Sequence, residues 1–251
     1  MHRLGIIGGG RAAWAYGSAW RRAGAPLAGV WLRPESSSRL PELLAAQRAT
    51  VELLAAEADL ILVAVPDRVI EAVAAEIPPT GAIIFHASGA LPHVRDGFSL
   101  HPLRVLPPVG AATDLRDALL VFEGNHRHTA EAIARDLGAR FAEVSTAAKP
   151  LYHAGAVFGA NYVAALLEIA NDLIADAGVK EAREDLATLA LSAVENWRAH
   201  GDARRFTGPA ARGDAEVLRR HLQALEERTE VADLYRLLAD QIASAILARP
   251  K

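Results

Sequence analysis

The sequence has no cysteine, and this absence excludes disulfides, thiolate nucleophiles, iron–sulfur clusters and cysteine-ligated zinc. Neither sign of charge is in large excess, because 27 basic residues stand against 30 acidic ones, so no basic surface for nucleic acid is predicted. Apolar runs such as Leu60 to Val65 are far shorter than the roughly 18 residues of a membrane span, and no targeting segment is predicted. We therefore expect a cytoplasmic protein that binds neither nucleic acid nor membrane.

The first part of the chain has the pattern of an α/β fold. Its 251 residues are 51% hydrophobic, enough for a packed interior, and from Met1 to about Ser145 short apolar runs alternate with helical patterns. The predicted strands are Arg3–Ile7, Ala28–Leu32, Leu60–Val65, Ala82–His86, Phe98–His101, Leu119–Glu123 and Arg140–Val144, with a further short edge strand at Thr50–Leu53. The predicted helices are Ala12–Ala23, Ser38–Gln47, Arg68–Ala75 and Thr129–Leu137.

After Ser145 the alternation is replaced by long Ala- and Leu-rich segments with a period near 3.6 residues. We predict two domains, a doubly wound Rossmann domain at 1–146 and an all-α domain at 147–251. A long first helix, from Pro150 to a stop at Gly178, is typical of an interface. The predicted helices are Pro150–Ala177, Glu181–Ala199, Ala215–Glu227 and Glu230–Ala248, with a non-helical segment from Gly201 to Gly213.

A dinucleotide fingerprint follows the first predicted strand. The pattern Gly8-x-Gly10-x-x-Ala13 stands between a strand and a helix, where Gly8 permits a tight turn and Gly10 lets the backbone approach a pyrophosphate. A glycine-rich loop that binds nothing is the alternative, and the flanking elements disfavour it. The predicted cofactor-binding residues of this loop are Gly8, Gly9, Gly10, Arg11 and Ala12.

The end of the second strand indicates which dinucleotide is bound. An acid there would accept hydrogen bonds from the adenosine ribose, but Trp31, Leu32 and Arg33 include none. Arg33 and Ser36 open a run of donors suited to a 2′-phosphate, so NADP is predicted over NAD. Glu35 opposes this interpretation, and an ordinary solvated turn is the alternative.

Further candidates follow the third and fourth strands, whose ends line the cofactor crevice of open α/β sheets. Val65 and Pro66 end one strand, and His86 ends the next. Ser88, with the backbone near Gly89, could hold a substrate carboxylate or the nicotinamide amide. A simple polar turn is an equally good explanation of Ser88.

Several motifs together resemble a known family: the fingerprint, the strand end Val65-Pro66-Asp67, His86-Ala87-Ser88-Gly89, His101-Pro102-Leu103, Lys149…His153…Asn161, and Thr207 to Asp214. The chain resembles Rossmann-like oxidoreductases that carry a C-terminal domain of unknown function 2520, which are similar in architecture to pyrroline-5-carboxylate reductase, 6-phosphogluconate dehydrogenase and F420-dependent NADP oxidoreductases. The resemblance implies an NADP-binding domain, a helical domain that often dimerises, and an active-site cleft between them. It implies no particular substrate.

Lys149, His153 and Asn161 are spaced by four and eight residues, so one helix face can present all three. His153 is suited to donate a proton near neutral pH, Asn161 to orient a substrate, and Lys149 to add positive charge. Alternatively, His153 packs against aromatic neighbours, Asn161 bonds a neighbouring helix, and Lys149 is a solvated first-turn residue, which is the favoured interpretation of Lys149. Arg212 is the candidate anion ligand of the loop before the N-cap residue Asp214.

Two functions from different classes follow. The first is an NADP-dependent reductase of a small carbonyl or imine compound, of the 2-oxo acid or pyrroline-carboxylate type, acting in the interdomain cleft. The second is a non-catalytic dinucleotide sensor or scaffold. No metal is predicted, since His126 and His128 have no acidic cluster nearby. Small residues among apolar ones in the long helix predict a homodimer.

Overall fold

The structure, a computed structural model, describes residues 1–247 and divides the chain into two compact units, Met1–Ala160 and Asn161–Lys251. The predicted functional domains, 1–146 and 147–251, stay a prediction.

The first unit is built on a seven-stranded sheet with the order β2-β1-β3-β4-β5-β6-β7. Every neighbouring pair is parallel except β5 with β6, which is antiparallel. All seven main predicted strands are present, and the α/β prediction is confirmed. The strands are β1 (Leu4–Ile7), β2 (Leu27–Trp31), β3 (Leu60–Val63), β4 (Ile83–His86), β5 (Phe98–Pro102), β6 (Leu119–Gly124) and β7 (Arg140–Glu143).

The central strands are runs of apolar residues because helices cover both faces of the sheet. β1 and β3 are buried along their whole length. An aromatic cluster fills one face, with Phe85 and Phe98 stacked at a ring-centroid distance of 5.0 Å and Tyr16 edge-on to Phe85 at 5.8 Å. This core fixes the ends of β1, β3, β4 and β5, where the candidate site lies.

The order of β1, β2 and β3 creates a crevice. The chain passes from β1 to β2 on one side and then returns to place β3 on the other side of β1. In open parallel sheets such a reversal leaves room for a ligand beyond the carboxyl ends of the strands. Gly8 follows β1 and Ala64 follows β3, so these residues border the crevice.

The helices of the first unit are α1 (Arg11–Arg22), α2 (Leu40–Leu43), α3 (Val51–Glu57), α4 (Ile70–Glu76), α5 (Arg127–Asp136) and α6 (Lys149–Gly159). The predicted edge strand at Thr50–Leu53 is wrong: the Thr50 side chain accepts a hydrogen bond from the Leu53 amide (3.2 Å) and begins α3. The predicted helix Ser38–Gln47 is reduced to the four residues of α2.

The second unit is helical: α7 (Asn161–Asp176), α8 (Arg183–Ala199), α9 (Gly208–Arg212), α10 (Ala215–Ala224) and α11 (Thr229–Leu247). The prediction of one helix over Pro150–Ala177 is wrong, because the backbone at Ala160 (φ −130°, ψ −70°) leaves the helical region between α6 and α7. The segment predicted to lack helix contains α9 and a short 3₁₀ turn. The predicted end at Ala248 lies outside the described residues.

Two predicted helix signals are confirmed in this unit. Gly178 has the left-handed backbone (φ 92°) expected of a residue that ends a helix. Asp214 accepts a hydrogen bond from the Val217 amide (3.2 Å) as the N-cap of α10. Within residues 1–247, one helical stretch, Thr146–Asp176, has the length and composition that could cross a membrane, and a single such stretch is weak evidence. The absence of membrane binding stays a prediction.

Candidate functional site

Gly8 occupies a position that only glycine can fill. Its φ is +117°, and a methyl group on it would lie 2.2 Å from the Ala64 carbonyl oxygen at the end of β3. A methyl group on Gly10, in contrast, would meet no atom of the structure within 4 Å. The loop is therefore tight where β1 turns and open where a ligand would approach the backbone.

The open side of the loop leads into the N-terminus of α1. Gly10 is the N-cap of this 12-residue helix, no side chain caps it, and its first turn contains no acid. The first amides of a helix have no partner within the helix and carry partial positive charge, so this end suits an anion. The predicted pyrophosphate-binding residues Gly8 to Ala12 thus form a loop and helix start of the expected geometry.

The segment after β2 presents charge to solvent. The Arg33 side chain is 75% exposed, and its Nε lies 3.4 Å from a Glu35 carboxylate oxygen. The Ser38 hydroxyl donates to the Gly9 carbonyl (2.9 Å), so Ser38 holds the glycine loop, while the Ser36 hydroxyl accepts from the Ser38 amide (3.3 Å). The guanidinium of Arg33 is accessible to a phosphate.

His86 and Ser88 hold the loop after β4. The His86 ring is fully buried, donates from Nε2 to the Pro92 carbonyl (2.9 Å) and accepts at Nδ1 from the Ser88 amide (3.1 Å). Burial lowers the pKa of His86, which keeps the ring neutral. The Ser88 hydroxyl donates to Asp67 (2.8 Å) and accepts from the Ala90 and Leu91 amides. Both side chains are committed to the loop, and their predicted ligand roles stay predictions.

His153 lies beside the same loop. A methyl group on Gly89 would lie 2.5 Å from His153 Nδ1 and 3.1 Å from His101 Nε2, so both rings border Gly89. The rings are nearly perpendicular, with centroids 6.1 Å apart. His153 Nδ1 is buried and has no hydrogen-bond partner among the described residues. Such an atom calls for a functional or conformational explanation.

Tyr152 holds His101 from the other side. Its hydroxyl lies 2.5 Å from His101 Nδ1, a hydrogen bond that joins α6 to the end of β5. Burial, together with the nearby His153 and Lys149, lowers the pKa of His101 to about 4, although Asp67 opposes the shift. Burial raises the pKa of Tyr152 to about 12. Near neutral pH the pair is therefore a neutral imidazole and a protonated phenol.

Lys149 is buried, so its interpretation as a solvated first-turn residue is wrong. The side chain is 1% exposed, hydrogen-bonds the Ser99 hydroxyl, and lies 3.9 Å from a Glu123 oxygen. Desolvation lowers the pKa of Lys149, and Glu123 and Asp67 oppose this shift. The first turn of α6 lies against β5 and β6, and this contact removes Lys149 from water.

The Glu123 carboxylate is the centre of this buried network. Its side chain is 1% exposed and accepts from Thr146 (2.7 Å), from Ser99 (3.2 Å) and from both the amide and the ring Nδ1 of His93 (2.8 Å each). Burial raises its pKa, but the hydrogen bonds and Lys149 outweigh burial, and the net pKa is lowered. The carboxylate therefore stays ionised.

Sequence reasoning assigned no role to His101, Tyr152 or Glu123. Two signals were available in the sequence: a histidine and an acid near the ends of buried apolar strands, His101 in β5 and Glu123 in β6. The pairing of His101 with Tyr152 joins residues 51 positions apart, and no local sequence signal indicates it.

The remaining predicted residues lie elsewhere. Val65 and Pro66 follow β3 at the crevice. Asn161 begins α7 and Arg212 ends α9, both exposed residues of the second unit, and their roles stay predictions. Among residues 1–247 no group of three or more histidine or acidic side chains is arranged to hold a metal ion.

Family models match most of the chain. Residues 1–95 match a Rossmann-like domain, and residues 119–242 match the domain of unknown function 2520. These matches confirm the resemblance predicted from the motifs. A search of curated proteins returns no match.

Solved structures share the fold over nearly the whole chain. A protein from Bacteroides fragilis, provisionally named an NADP oxidoreductase, has 22% identity and a TM-score of 0.79, covering 97% of this chain and 98% of its own. A reductive aminase from Aspergillus terreus in complex with NADPH and ethyl levulinate has 16% identity and a TM-score of 0.66, covering 99% and 100%. A pyrroline carboxylate reductase from Plasmodium falciparum with NADP bound has 14% identity and a TM-score of 0.62, covering 98% of each chain. At these identities the matches show a shared fold.

Proposed function

We propose that the chain is an NADP-dependent oxidoreductase that reduces a small carbonyl or imine compound, because residues 1–95 match a Rossmann-like domain and residues 119–242 match the domain of unknown function 2520. The observation that carries the proposal is the Gly8–Gly10 loop, tight at Gly8 and open at Gly10, at the sheet crevice. Structures of the same fold hold NADP or NADPH, among them a reductive aminase, a pyrroline carboxylate reductase and an imine reductase.

The residues of the first unit fit the dinucleotide. The amides at the start of α1 suit the pyrophosphate, and the exposed Arg33 suits a 2′-phosphate, since a guanidinium forms strong charge-assisted bonds to phosphate. The absence of an acid from Trp31 to Arg33 disfavours NAD. When bound, the reduced cofactor supplies a hydride to the substrate carbon.

The protein must then deliver a proton to the substrate oxygen or nitrogen. His153 is our candidate donor, because it borders the loop after β4 and its ring Nδ1 is not held by any described residue. Lys149 is enclosed with Ser99 and Glu123, so its contribution is positive charge behind the site. We propose a carboxylated substrate of the 2-oxo acid or cyclic imino acid type.

Binding is tested first, by calorimetric titration of the full chain with NADPH and NADH. We expect tighter binding of NADPH, and no binding of either dinucleotide would refute the proposal. Turnover is then measured on a panel of 2-oxo acids, ketones and cyclic imines. For a substrate that reacts, His153→Ala should lower kcat by about 10²- to 10⁴-fold with NADPH affinity retained. Tight NADPH binding without turnover on the panel would favour the sensor alternative.

We also propose that the chain forms a homodimer through its helical part. Large apolar side chains are exposed in the single chain, on α7 at Leu166 and on α8 at Leu189, Leu191, Val194 and Trp197. Exposed apolar surface of this kind marks an interaction site. Light scattering at micromolar concentration should give twice the mass of one chain, and a single-chain mass throughout would refute the dimer.

A further inference from the structure

We propose that Asp67 is a specificity-determining residue that places a negative charge beside the nicotinamide half of the bound cofactor and so favours the oxidised, cationic form of the ring. The inference rests on the proposed function, because it requires NADP in the crevice, but its test needs no substrate and no turnover.

The order of the strands places the nicotinamide half of the cofactor near Asp67. A dinucleotide binds across the point where the strand order reverses. Arg33, the candidate ligand of the 2′-phosphate, follows β2, and the pyrophosphate site at the start of α1 follows β1. In the sheet order β2-β1-β3-β4, the other half of the dinucleotide therefore extends towards the carboxyl ends of β3 and β4. Asp67 follows β3 and is exposed there.

The Asp67 carboxylate is held towards the end of β4. It accepts a hydrogen bond from the Ser88 hydroxyl (2.8 Å), and the Ala90 and Leu91 amides fix that hydroxyl in turn. The bond between Asp67 and Ser88 joins the loop after β3 to the loop after β4. Among the described residues the other oxygen of Asp67 has no hydrogen-bond partner, and no Lys or Arg lies within the 4.0 Å of an ion pair.

The other ionisable groups on this side of the crevice are paired or uncharged. Lys149 and Glu123 are buried together, 3.9 Å apart. Burial lowers the pKa of His86 and brings that of His101 to about 4, so both rings are neutral near neutral pH. The Asp67 carboxylate opposes both shifts and also the burial-induced lowering of the Lys149 pKa, so its field reaches β4, β5 and α6. Asp67 is therefore the unpaired charge of this group of residues.

A negative charge at this position separates the two redox states of the cofactor. The states differ by one hydride, so the oxidised nicotinamide ring carries one positive charge and the reduced ring carries none. Even at the dielectric constant of water, unit charges about 6 Å apart interact strongly enough to change an equilibrium about threefold. Asp67 is exposed, so this solvent-screened magnitude applies. For a reductase, the consequence is a bound cofactor that gives its hydride to the substrate carbon more readily.

The test is calorimetric titration of the full chain with NADP⁺ and with NADPH, at low ionic strength, where an exposed charge is least screened. The pH is about 8, above the ordinary histidine pKa of about 6.5. The two cofactors share both riboses and all phosphates, so the contacts of Arg33 and α1 cancel in the ratio of the two Kd values. We expect Asp67→Asn to shift this ratio about threefold or more in favour of NADPH. Asparagine keeps an acceptor oxygen for the Ser88 hydroxyl, so the variant removes the charge and retains the hydrogen bond.

Asp59→Asn is the matched control. Asp59 is also exposed and accepts a hydrogen bond, from the Arg3 amide (2.7 Å), but it precedes β3 and so lies at the opposite end of the same strand. This variant should leave the Kd ratio unchanged. Asp67→Glu keeps the charge and should retain more of the wild-type ratio than Asp67→Asn.

An unchanged ratio in Asp67→Asn would overturn the proposal, and so would an equal shift in Asp59→Asn or in Asp67→Glu. Urea denaturation checks that each variant is folded; if Asp67→Asn is not, Asp67→Ala decides, with the same expected shift. If the wild-type chain binds neither dinucleotide, the proposed function itself fails. Binding of both dinucleotides with a ratio that does not depend on Asp67 removes only this inference.

Discussion

Gly10→Ala separates cofactor binding from folding at the glycine loop. Gly10 has a negative φ (−93°) that alanine adopts without strain, and the added methyl group would meet no atom within 4 Å. Alanine is a poorer N-cap than glycine, which lowers the stability of the folded protein. Alanine also reduces the conformational entropy of the unfolded chain, which stabilises the folded protein by about 0.4–1 kcal/mol. These effects oppose each other, so the free energy of unfolding should change by less than about 1 kcal/mol.

The effect on NADPH should be much larger. Phosphate oxygens that bond backbone amides approach to about 2.9 Å, and a methyl group next to those amides occupies that space. A displaced or lost charge-assisted hydrogen bond costs about 1.5–3 kcal/mol, so the Kd for NADPH should rise at least about tenfold.

Calorimetric titration gives the affinity and urea denaturation gives the stability. Gly81→Ala is the matched control, because Gly81 also has open space around it but lies before β4, outside the crevice. A Gly10→Ala protein with wild-type stability and wild-type NADPH affinity would refute our assignment of the loop.

Three further predictions follow from the described contacts. Arg33→Ala should weaken NADPH binding and leave NADH binding unchanged in titrations, because the variant loses only the contact with the 2′-phosphate, which NADH lacks. Equal weakening of both would contradict the role of Arg33 as a phosphate ligand. Gly89→Ala should lower the free energy of unfolding by about 1–3 kcal/mol and shift the NMR signals of His153, since the methyl group would lie 2.5 Å from its Nδ1, and unchanged signals would contradict the described packing. Glu123→Gln should reduce stability at neutral pH, with the difference from wild type shrinking as pH falls below about 4.5, because the lowered pKa of Glu123 gives stability that is present above its ordinary value and lost on protonation. Denaturation at several pH values measures this, and a constant difference would exclude the role of ionised Glu123.

The sequence was sufficient to predict the sheet, because each central strand is a short buried apolar run between turn residues. The fingerprint glycines were also predictable from local sequence, because their roles depend only on the strand before them and the helix after them. The edge strand at Thr50–Leu53 was wrong because Thr50 caps a helix, a local signal that the β-branched residues concealed. The helix breaks at Ala160, directly after Gly159, but a single glycine inside an otherwise helical pattern does not by itself predict a break.

The chemistry around His153 was only partly predictable. His153 was selected by its residue type and its helical spacing, whereas the burial of Lys149 depends on packing against β5 and β6, 50 residues away at Ser99. Helical spacing shows which residues share a face but not what that face contacts. The pairing of Tyr152 with His101 depends on the same contact between α6 and the end of β5.

The antiparallel strand β6 shows that the two family domains are not separable modules. The match to the domain of unknown function 2520 begins at residue 119, where β6 begins, so this domain contributes β6 and β7 to the sheet of the first unit. Glu123 and Lys149 lie inside that match, whereas two residues that complete their network do not: His93 lies in the Rossmann-like match and Ser99 lies between the two matches. A chimera joined at residue 118 would pair β5 with a foreign strand and place a foreign residue at Glu123. Recombination between relatives would therefore have to exchange the loop after β4 through α6 as one block to keep the surroundings of His153.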